Sequence, residues 1–415
     1  MAAPQARGAD DRLQALTLPE GGGWLAAARK DALGRLEAVG LPGRRDEYWR
    51  YTNPARLLAP APDHDAPAPG QDPFAGVEAH LIEIDGGRIA LPEPIEGVEI
   101  ATLAEAGGRD IHWAKDTYGS LEAAGSRPIS RPFAMLNTAF ASDGVVIRVT
   151  GKLDRPLHIR TTNGTDPILH HVVRVERDAA VTVLESGNPG ARYTTVAEID
   201  VADGAEFHHV RVQGPEAGMH ANTHLFARLG AGSVFRSFTL SANGQFTRNE
   251  ATIELTGDDA SATIGGAAFG DGDVHNDDTV FVTHDAVGCE SRQVYKKVLR
   301  NGATGVFQGK ILVKEGAQKT DGYQISQGLL LDDDAQFLAK PELEIYADDV
   351  ACSHGSTTGA IDETALFYLR SRGVPRRVAT DMLVLSFLAE AVAEIADEDL
   401  RAHMTGLLAD WQADA

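Results

Sequence analysis

The chain has 415 residues, and its 60 Asp and Glu side chains outnumber its 38 Lys and Arg, giving a formal charge of −22. A single core rarely exceeds ~250–300 residues, so the length predicts two or three packing units. The hydrophobic content of 43% argues against global disorder. The negative charge disfavours nucleic acid and anionic membranes as partners. Two cysteines are too few for a disulfide framework and fit a reducing compartment.

The sequence also argues against export and membrane insertion. The first twenty residues carry charges without an apolar core segment, so we expect no signal peptide. No run approaches the ~20 uninterrupted apolar residues of a membrane-spanning helix. Together these features predict a soluble, cytoplasmic protein.

The first of three compositional zones, residues 1–75, begins with apolar residues at helical spacing. This pattern ends at Gly40 and Pro42, and a charged and aromatic stretch follows at 44–54. Residues 59–73 then alternate Pro, Ala, Asp and Gly, a composition typical of an exposed linker. We therefore predict a helical N-terminal region that ends in a proline-rich linker.

The central zone, residues 76–355, changes to the two-residue period of β-strands, and no helical pattern longer than about two turns interrupts it. A small turn, Asp or Gly followed by Ala, recurs in this zone, with the alanines 26, 26, 29 and 26 residues apart. The five copies are Asp178-Ala179, Gly204-Ala205, Gly230-Ala231, Asp259-Ala260 and Asp285-Ala286.

This repeat indicates how the long sheet closes. A period near 26 residues, with weaker turn signals midway, suits a coil in which each rung contributes two strands and two turns. The alternative is a β-sandwich or jelly roll, which has turns every ~8–12 residues. We favour a parallel β-helix, which makes the fold mainly β with flanking α-helical regions.

The last zone, residues 356–415, has helical signals. Asp362 is an N-cap candidate, Gly373 ends the first helix, and Val374-Pro375 restarts a second one. The apolar stripes of the second and third helices comprise Val378, Met382, Leu385, Leu388, Val392, Ile395, Leu400, Met404, Leu407 and Trp411. Such helices could cap the open end of the coil or present a face to another protein.

The most suggestive short segment contains Cys352 and His354. Two residues apart in an extended strand, they project from the same face. A thiolate and an imidazole suit zinc or iron–sulfur chemistry, but closed metal sites need about four ligands. The pair is therefore half of a soft metal site, unless Cys352 is simply a buried cysteine beside a turn histidine.

Other polar residues carry weaker signals. The tandem pairs at 170–171 and 208–209 split across two strand faces, and His220 and His224 share one face without further ligands. Asp271, Asp273 and Asp277 could attract calcium, although a solvated face explains them better. The segment 305–310 lacks the first glycine and the hydroxyl of a phosphate-binding loop.

Two longer segments resemble a known family. Residues 348–355, Asp-Asp-Val-Ala-Cys-Ser-His-Gly, with Gly359 and residues 362–374, look like the C-terminal signature of SufD, the scaffold family of the SUF iron–sulfur cluster assembly machinery. Residues 45–52, Arg-Asp-Glu-Tyr-Trp-Arg-Tyr-Thr, resemble its N-terminal stretch. The Cys-Ser-His-Gly run favours SufD over its paralogue SufB.

The resemblance implies a right-handed parallel β-helix between helical termini and a non-catalytic role. It implies a complex with SufB and two copies of the ATPase SufC, so that no nucleotide binds this chain. His354 matches the family histidine at the SufB interface, where a transient iron–sulfur cluster forms, and Cys352 matches the neighbouring cysteine. Docking of SufC is expected at Leu366, Phe367, Tyr368, Leu369 and Arg370. Cys289 matches no family motif and is predicted to be a core residue.

Alternative functions remain at this stage. The chain could have the role of the SufB paralogue, or be a purely structural β-helix without ligand function. A calcium-dependent enzyme acting on acidic polysaccharide is a third possibility. An exposed coil edge also makes a homodimer plausible for the isolated chain.

Overall fold

The computed structural model describes residues 12–20, 22–59, 71–110, 112–164, 166–214, 218–242 and 244–414. Most of the predicted linker (60–70) and the first eleven residues, on which the signal-peptide expectation partly depends, lie outside these ranges. Within the described ranges, no helix combines the length and the apolar character needed to cross a membrane.

A parallel β-solenoid forms the centre of the molecule, which confirms the predicted β-helix. Its strands form a ten-stranded sheet, β19-β17-β15-β13-β11-β9-β7-β5-β1-β2, and a nine-stranded sheet, β18-β16-β14-β12-β10-β8-β6-β4-β3. Each rung therefore gives one strand to each sheet. The strands are β1 His80–Asp85, β2 Arg88–Ala90, β3 Val98–Thr102, β4 Val145–Val149, β5 Leu157–Thr162, β6 Ile168–Val175, β7 Ala180–Ser186, β8 Arg192–Val201, β9 Glu206–Gln213, β10 His220–Leu229, β11 Val234–Ala242, β12 Phe246–Leu255, β13 Ser261–Asp271, β14 His275–His284, β15 Glu290–Arg300, β16 Thr304–Val313, β17 Asp321–Leu330, β18 Gln336–Ile345 and β19 Ala351–Ala360.

Helices cover the outer face of each sheet. They are α1 Gly23–Val39, α2 Ala55–Leu58, α3 Leu103–Gly107, α4 Ser120–Gly125, α5 Pro132–Phe140, α6 Glu363–Ser371, α7 Arg376–Val392 and α8 Glu398–Asp414. The expectation that no helix longer than two turns interrupts the strand zone is wrong, because α5 spans nine residues between β3 and β4. All of its side chains are buried, so it lacks the polar face that marks a surface helix in a sequence.

The predicted repeat corresponds to one corner of the solenoid. At six successive corners a residue with positive φ precedes a small buried residue, after which a strand of the ten-stranded sheet begins. The six pairs are Asp178-Ala179, Gly204-Ala205, Gly232-Ser233, Asp259-Ala260, Gly288-Cys289 and Lys319-Thr320. Glycine and aspartate tolerate this left-handed conformation better than most residues.

Three of the five predicted turns lie at this corner, and two do not. Gly230-Ala231 and Asp285-Ala286 fall just before the corners at Gly232 and Gly288. In these two rungs more residues precede the corner. The residue with positive φ therefore follows the predicted Ala instead of preceding it.

Cys289 occupies the small-residue position of its corner. Its side chain is fully buried, and its thiol donates to the carbonyl of Gly257 at 3.3 Å. Burial raises the pKa of this thiol, so it is a neutral side chain near pH 7. The prediction that Cys289 is a core residue is confirmed.

The two ends of the solenoid differ. At the N-terminal end, β2 pairs antiparallel with β1, and β3 pairs antiparallel with β4. At the C-terminal end, β18 and β19 are the outermost strands of their sheets. The parallel ladder thus ends in the short antiparallel strands β2 and β3 at one end and in the longer parallel strands β18 and β19 at the other.

The C-terminal helices lie against a flank of the solenoid. Helix α7 packs on β13 and β15 through a cluster that includes Val384 and Leu388, and Glu394 pairs with Arg292 at 3.0 Å. Asp362 caps α6 by accepting from the backbone N–H of Thr364 at 2.8 Å, as predicted. The helices therefore pack along the flank and do not cap the open end, which was one of the two placements that the sequence left open.

A buried ion cluster attaches the aromatic N-terminal segment to the nine-stranded sheet. Arg248 bridges Asp277 and Glu250, and its guanidinium lies 4.1 Å from the ring centroid of Trp49. Thr52 donates a hydrogen bond to Asp277. The expected solvated face is therefore wrong for Asp277, which is 0% exposed because residues 47–52 fold over it.

The corner position of Cys289 predicts its response to substitution. Cys289→Ala should change the free energy of unfolding by less than about 1 kcal/mol, since alanine fills the same position at Ala179 and Ala260. Cys289→Leu should destabilise by about 1–3 kcal/mol through overpacking. Urea denaturation measures both. Equal stability of the two variants would contradict the close-packed corner.

The ion cluster predicts acid sensitivity. Burial opposes ionisation of Glu250, but the charges of Arg248, His224 and Arg131 prevail and lower its pKa to about 2. The unfolded carboxyl therefore binds a proton first as the pH falls. The contribution of Glu250, about 3 kcal/mol, is present above about pH 4.5 and is lost as the pH approaches 2.

Urea titrations from pH 7 to pH 2 test this dependence. Glu250→Gln should flatten the slope of stability against pH below about 4.5, where an ordinary glutamate titrates. Glu254→Gln, on the same strand but partly exposed, is the matched control and should keep the wild-type slope. The same slope in wild type and Glu250→Gln would disprove the assignment.

Candidate functional site

The predicted half-site lies on the last strand of the ten-stranded sheet. Strand β19 pairs with β17 in parallel register, which places Cys352 beside Gly322 and His354 beside Gln324. Gly322 and Gln324 are buried and face the interior of the solenoid. Cys352 and His354 continue that inward row at the open end, so the structure places them on one face.

Cys352 is only partly exposed. It packs against the small apolar cluster that contains Ile311 and Val313. Its sulfur lies over Gly322, where an added Cβ would be only 3.2 Å from it. Burial, followed by the nearby charge of Asp321, raises the pKa of the Cys352 thiol. In the isolated chain this residue is therefore a thiol near pH 7, and a bound metal would have to displace its proton.

His354 is exposed at the same end of the solenoid. The other outermost strand, β18, ends at Ile345, which is 39% exposed, and Tyr346 directly after it is 60% exposed. Among the described residues, no group of three or more His, Cys, Asp or Glu could hold a metal ion. Cys352 and His354 thus offer one sulfur and one ring nitrogen from this chain.

The other histidines considered in the sequence have structural partners. His170 faces outward and contacts Glu198 at 2.9 Å, whereas His171 faces inward and accepts from the backbone N–H of Val145. The predicted split of the tandem pair is confirmed. The second pair divides in the same way, with His208 beside Arg236 and His209 beside Ser237.

The aspartates of the calcium hypothesis are separately paired with arginines. Asp271 binds Arg300 at 2.7 Å, and Asp273 binds Arg56 at 2.9 Å. Asp277 is buried with Arg248. Their carboxylates do not converge on one point, which removes the structural basis for a shared calcium site.

The predicted docking segment forms most of α6, and its side chains divide between core and surface. Leu366 is 2% exposed and supports the helix from below, while Phe367 and Tyr368 are 72% and 56% exposed. Leu369 is partly buried, and Arg370 is exposed. The surface available to a partner is therefore centred on the two aromatic residues.

Helix α7 also exposes apolar side chains, and these belong to the apolar stripe predicted from the sequence. Val378 and Met382 are 47% and 48% exposed, and the helix instead buries Ala379, Val384 and Leu388. The helical period alone could not fix which side of a broad apolar stripe meets the solenoid. We call the exposed side chains Phe367, Tyr368, Val378 and Met382 the helical patch.

Comparison with known proteins agrees with this geometry. The family model "SUF system FeS cluster assembly, SufBD core domain" matches residues 158–387. The chain is 30% identical over 390 residues to the iron–sulfur cluster assembly protein SufD of Escherichia coli, covering 89% of each chain.

Two further relatives extend this result. The chain is 28% identical to an iron–sulfur cluster assembly SufBD family protein of Mycobacterium tuberculosis, over 90% of each chain. It is 26% identical to SufD of Bacillus subtilis, over 61% of this chain and 59% of the relative. The protein therefore belongs to the SufBD family of iron–sulfur cluster assembly proteins.

Proposed function

We propose that this chain is a non-catalytic scaffold of the SufD type, which assembles iron–sulfur clusters in the cytoplasm in a complex with SufB and the ATPase SufC. In this proposal Cys352 and His354 are its half of a site that SufB completes, where a cluster is held transiently. The observation that carries the proposal is the position of both residues on the uncovered last rung of the solenoid.

The open rung supports a protein partner at this end. An edge strand presents a row of backbone N–H and C=O groups that can pair with another chain. At the opposite end the outermost strands are the short antiparallel β2 and β3, and the C-terminal helices lie along the flank. SufB has a surface to pair with here, and a second copy of this chain could occupy the same edge in its absence.

The chemistry of the half-site suits cluster assembly. A thiolate and an imidazole are ligands that iron–sulfur clusters accept, and two ligands from one chain leave positions for another protein. The raised pKa of Cys352 means that iron binding must release its proton. A ligand pair of this kind can receive a nascent cluster and release it again.

The helical patch supports docking of the ATPase. Four exposed apolar side chains on two neighbouring helices form the type of surface that a protein partner buries. Only two residues, 361 and 362, separate the end of β19 from the start of helix α6. ATP-driven movement of a subunit bound to α6 would therefore act directly on the strand that carries Cys352 and His354.

Replacement of His354 tests the ligand role. His354→Ala should lower the iron and sulfide content of the purified complex by about tenfold or more, because a first ligand is lost. Co-purification of SufB and SufC should be unchanged. Ser353→Ala, on the opposite face of the same strand, is the control and should retain the cluster. Full cluster content in His354→Ala would favour a purely structural module.

Replacement of the aromatic residues tests the docking surface. Phe367→Ala with Tyr368→Ala should weaken binding of purified SufC by about 2 kcal/mol, or roughly thirtyfold in Kd, as expected for exposed aromatic anchors. Thermal stability should stay near wild type. Val39→Ala, a distant residue with 51% exposure, is the control. Unchanged affinity in calorimetry would place the ATPase elsewhere.

A further inference from the structure

Two glutamines are buried without hydrogen-bond partners inside the last rungs of the solenoid. Gln293 and Gln324 are both 0% exposed. Their Nε2 and Oε1 atoms have no partner among the described residues. A buried polar group left unpaired is destabilising, so apolar side chains would be more favourable if these positions had only to fill the core.

The register places both amides in one column with His354. Ile264, Gln293, Gln324 and His354 are paired in succession on β13, β15, β17 and β19. Neighbouring strands are about 4.8 Å apart, so consecutive side chains in this column lie side by side. Of these four residues only Ile264 is apolar, and on the two preceding rungs the same column contains Ser237 and His209.

The opposite sheet leaves room for the Gln324 amide. Gly309 on β16 faces Gln324, and a Cβ at that position would lie only 2.3 Å from Oε1. Any side chain larger than glycine would displace the amide. The position of Gln324 is therefore formed by both sheets, one rung below the exposed imidazole.

We propose that Gln324 is a positioning residue for His354. In the structure its Oε1 lies towards Gly309 and has no partner within the described part of the chain. When the amide turns towards β19, Oε1 accepts the N–H of one imidazole nitrogen. The other imidazole nitrogen then keeps its lone pair and points out of the open end towards the shared site. Metal-binding histidines generally have such an acceptor on their second nitrogen, which fixes tautomer and ring orientation.

The inference rests on the proposed ligand role of His354 but makes a separate prediction for the isolated chain. With Gln324 as acceptor, neutral His354 adopts a single tautomer. Its two ring nitrogens then have well-separated ¹⁵N chemical shifts, one typical of a protonated and one of an unprotonated nitrogen. An exposed histidine without such a partner exchanges between tautomers and gives averaged shifts.

The experiment is ¹⁵N NMR of the histidine-labelled full-length chain at about pH 8, where an ordinary imidazole is neutral. His354→Ala identifies the signals. Wild type should give the separated pair, and Gln324→Met, which keeps length without hydrogen-bonding groups, should give averaged shifts. Gln293→Met is the matched control, equally buried but one rung further from His354, and should keep the separated pair.

Averaged shifts in the wild-type chain would overturn the inference, whether or not Gln324→Met folds. Equal changes in Gln324→Met and Gln293→Met would also overturn it, because they would indicate a general packing effect. In the complex with SufB and SufC, Gln324→Met should lower cluster content about tenfold, and Gln293→Met should lower it less.

The two proposals fail in different ways. If His354→Ala retains its cluster while the tautomer still depends on Gln324, the ligand role is wrong and the positioning contact stands. If His354→Ala loses its cluster while Gln324→Met changes neither tautomer nor cluster content, the ligand role stands and the positioning contact is wrong.

Discussion

The parallel pairing of successive rungs is the constraint on which the rest of the molecule depends. Each strand satisfies its backbone on the strand before and the strand after it, so the final rung necessarily exposes one row of donors and acceptors. At the N-terminal end the edge strands are β2 and β3, which are short and pair antiparallel with their neighbours. At the other end β18 and β19 are left as edges, and the half-site lies on one of them. The unpaired N–H and C=O groups of such an edge are unfavourable in an isolated chain, and pairing with another chain would satisfy them.

The outer faces of the two sheets are covered, whereas the last rung is exposed. Helices and the aromatic N-terminal segment cover them, and the contact with the nine-stranded sheet includes the buried cluster of Arg248, Asp277 and Glu250. Breaking such a cluster leaves an unpaired buried charge, which costs more than loss of an exposed ion pair. The segment is thus held in one position by charge and by the stacking of Trp49 on Arg248. The segment covers that flank, whereas the open end and the helical patch stay exposed.

Local chemistry explains which features could be predicted from the sequence. The corner at Asp178-Ala179 combines a residue that tolerates positive φ with a small buried one, so its signal lies within two positions and repeats with the rung. The common face of Cys352 and His354 follows from strand alternation alone. The burial of Asp277 could not be predicted, because Thr52, 225 residues earlier, provides part of its cover. Gln324 was missed for the same reason, since its relation to His354 depends on the register between β17 and β19.

In the proposed complex, the order of elements at the C-terminal end would link movement of the docked ATPase to the half-site. Strand β19 carries the half-site and ends at Ala360, and α6 begins at Glu363 with Asp362 as its cap. The Asp362 cap stabilises the first turn of α6 against fraying. The exposed Phe367 and Tyr368 lie on this same helix, whereas Leu366 anchors it from beneath. A partner bound to these aromatic residues would therefore act on a short helix that is joined directly to the strand of Cys352 and His354. Strand β19 is bonded on one side only, to β17, so fewer ladder hydrogen bonds resist such a force than in an inner strand.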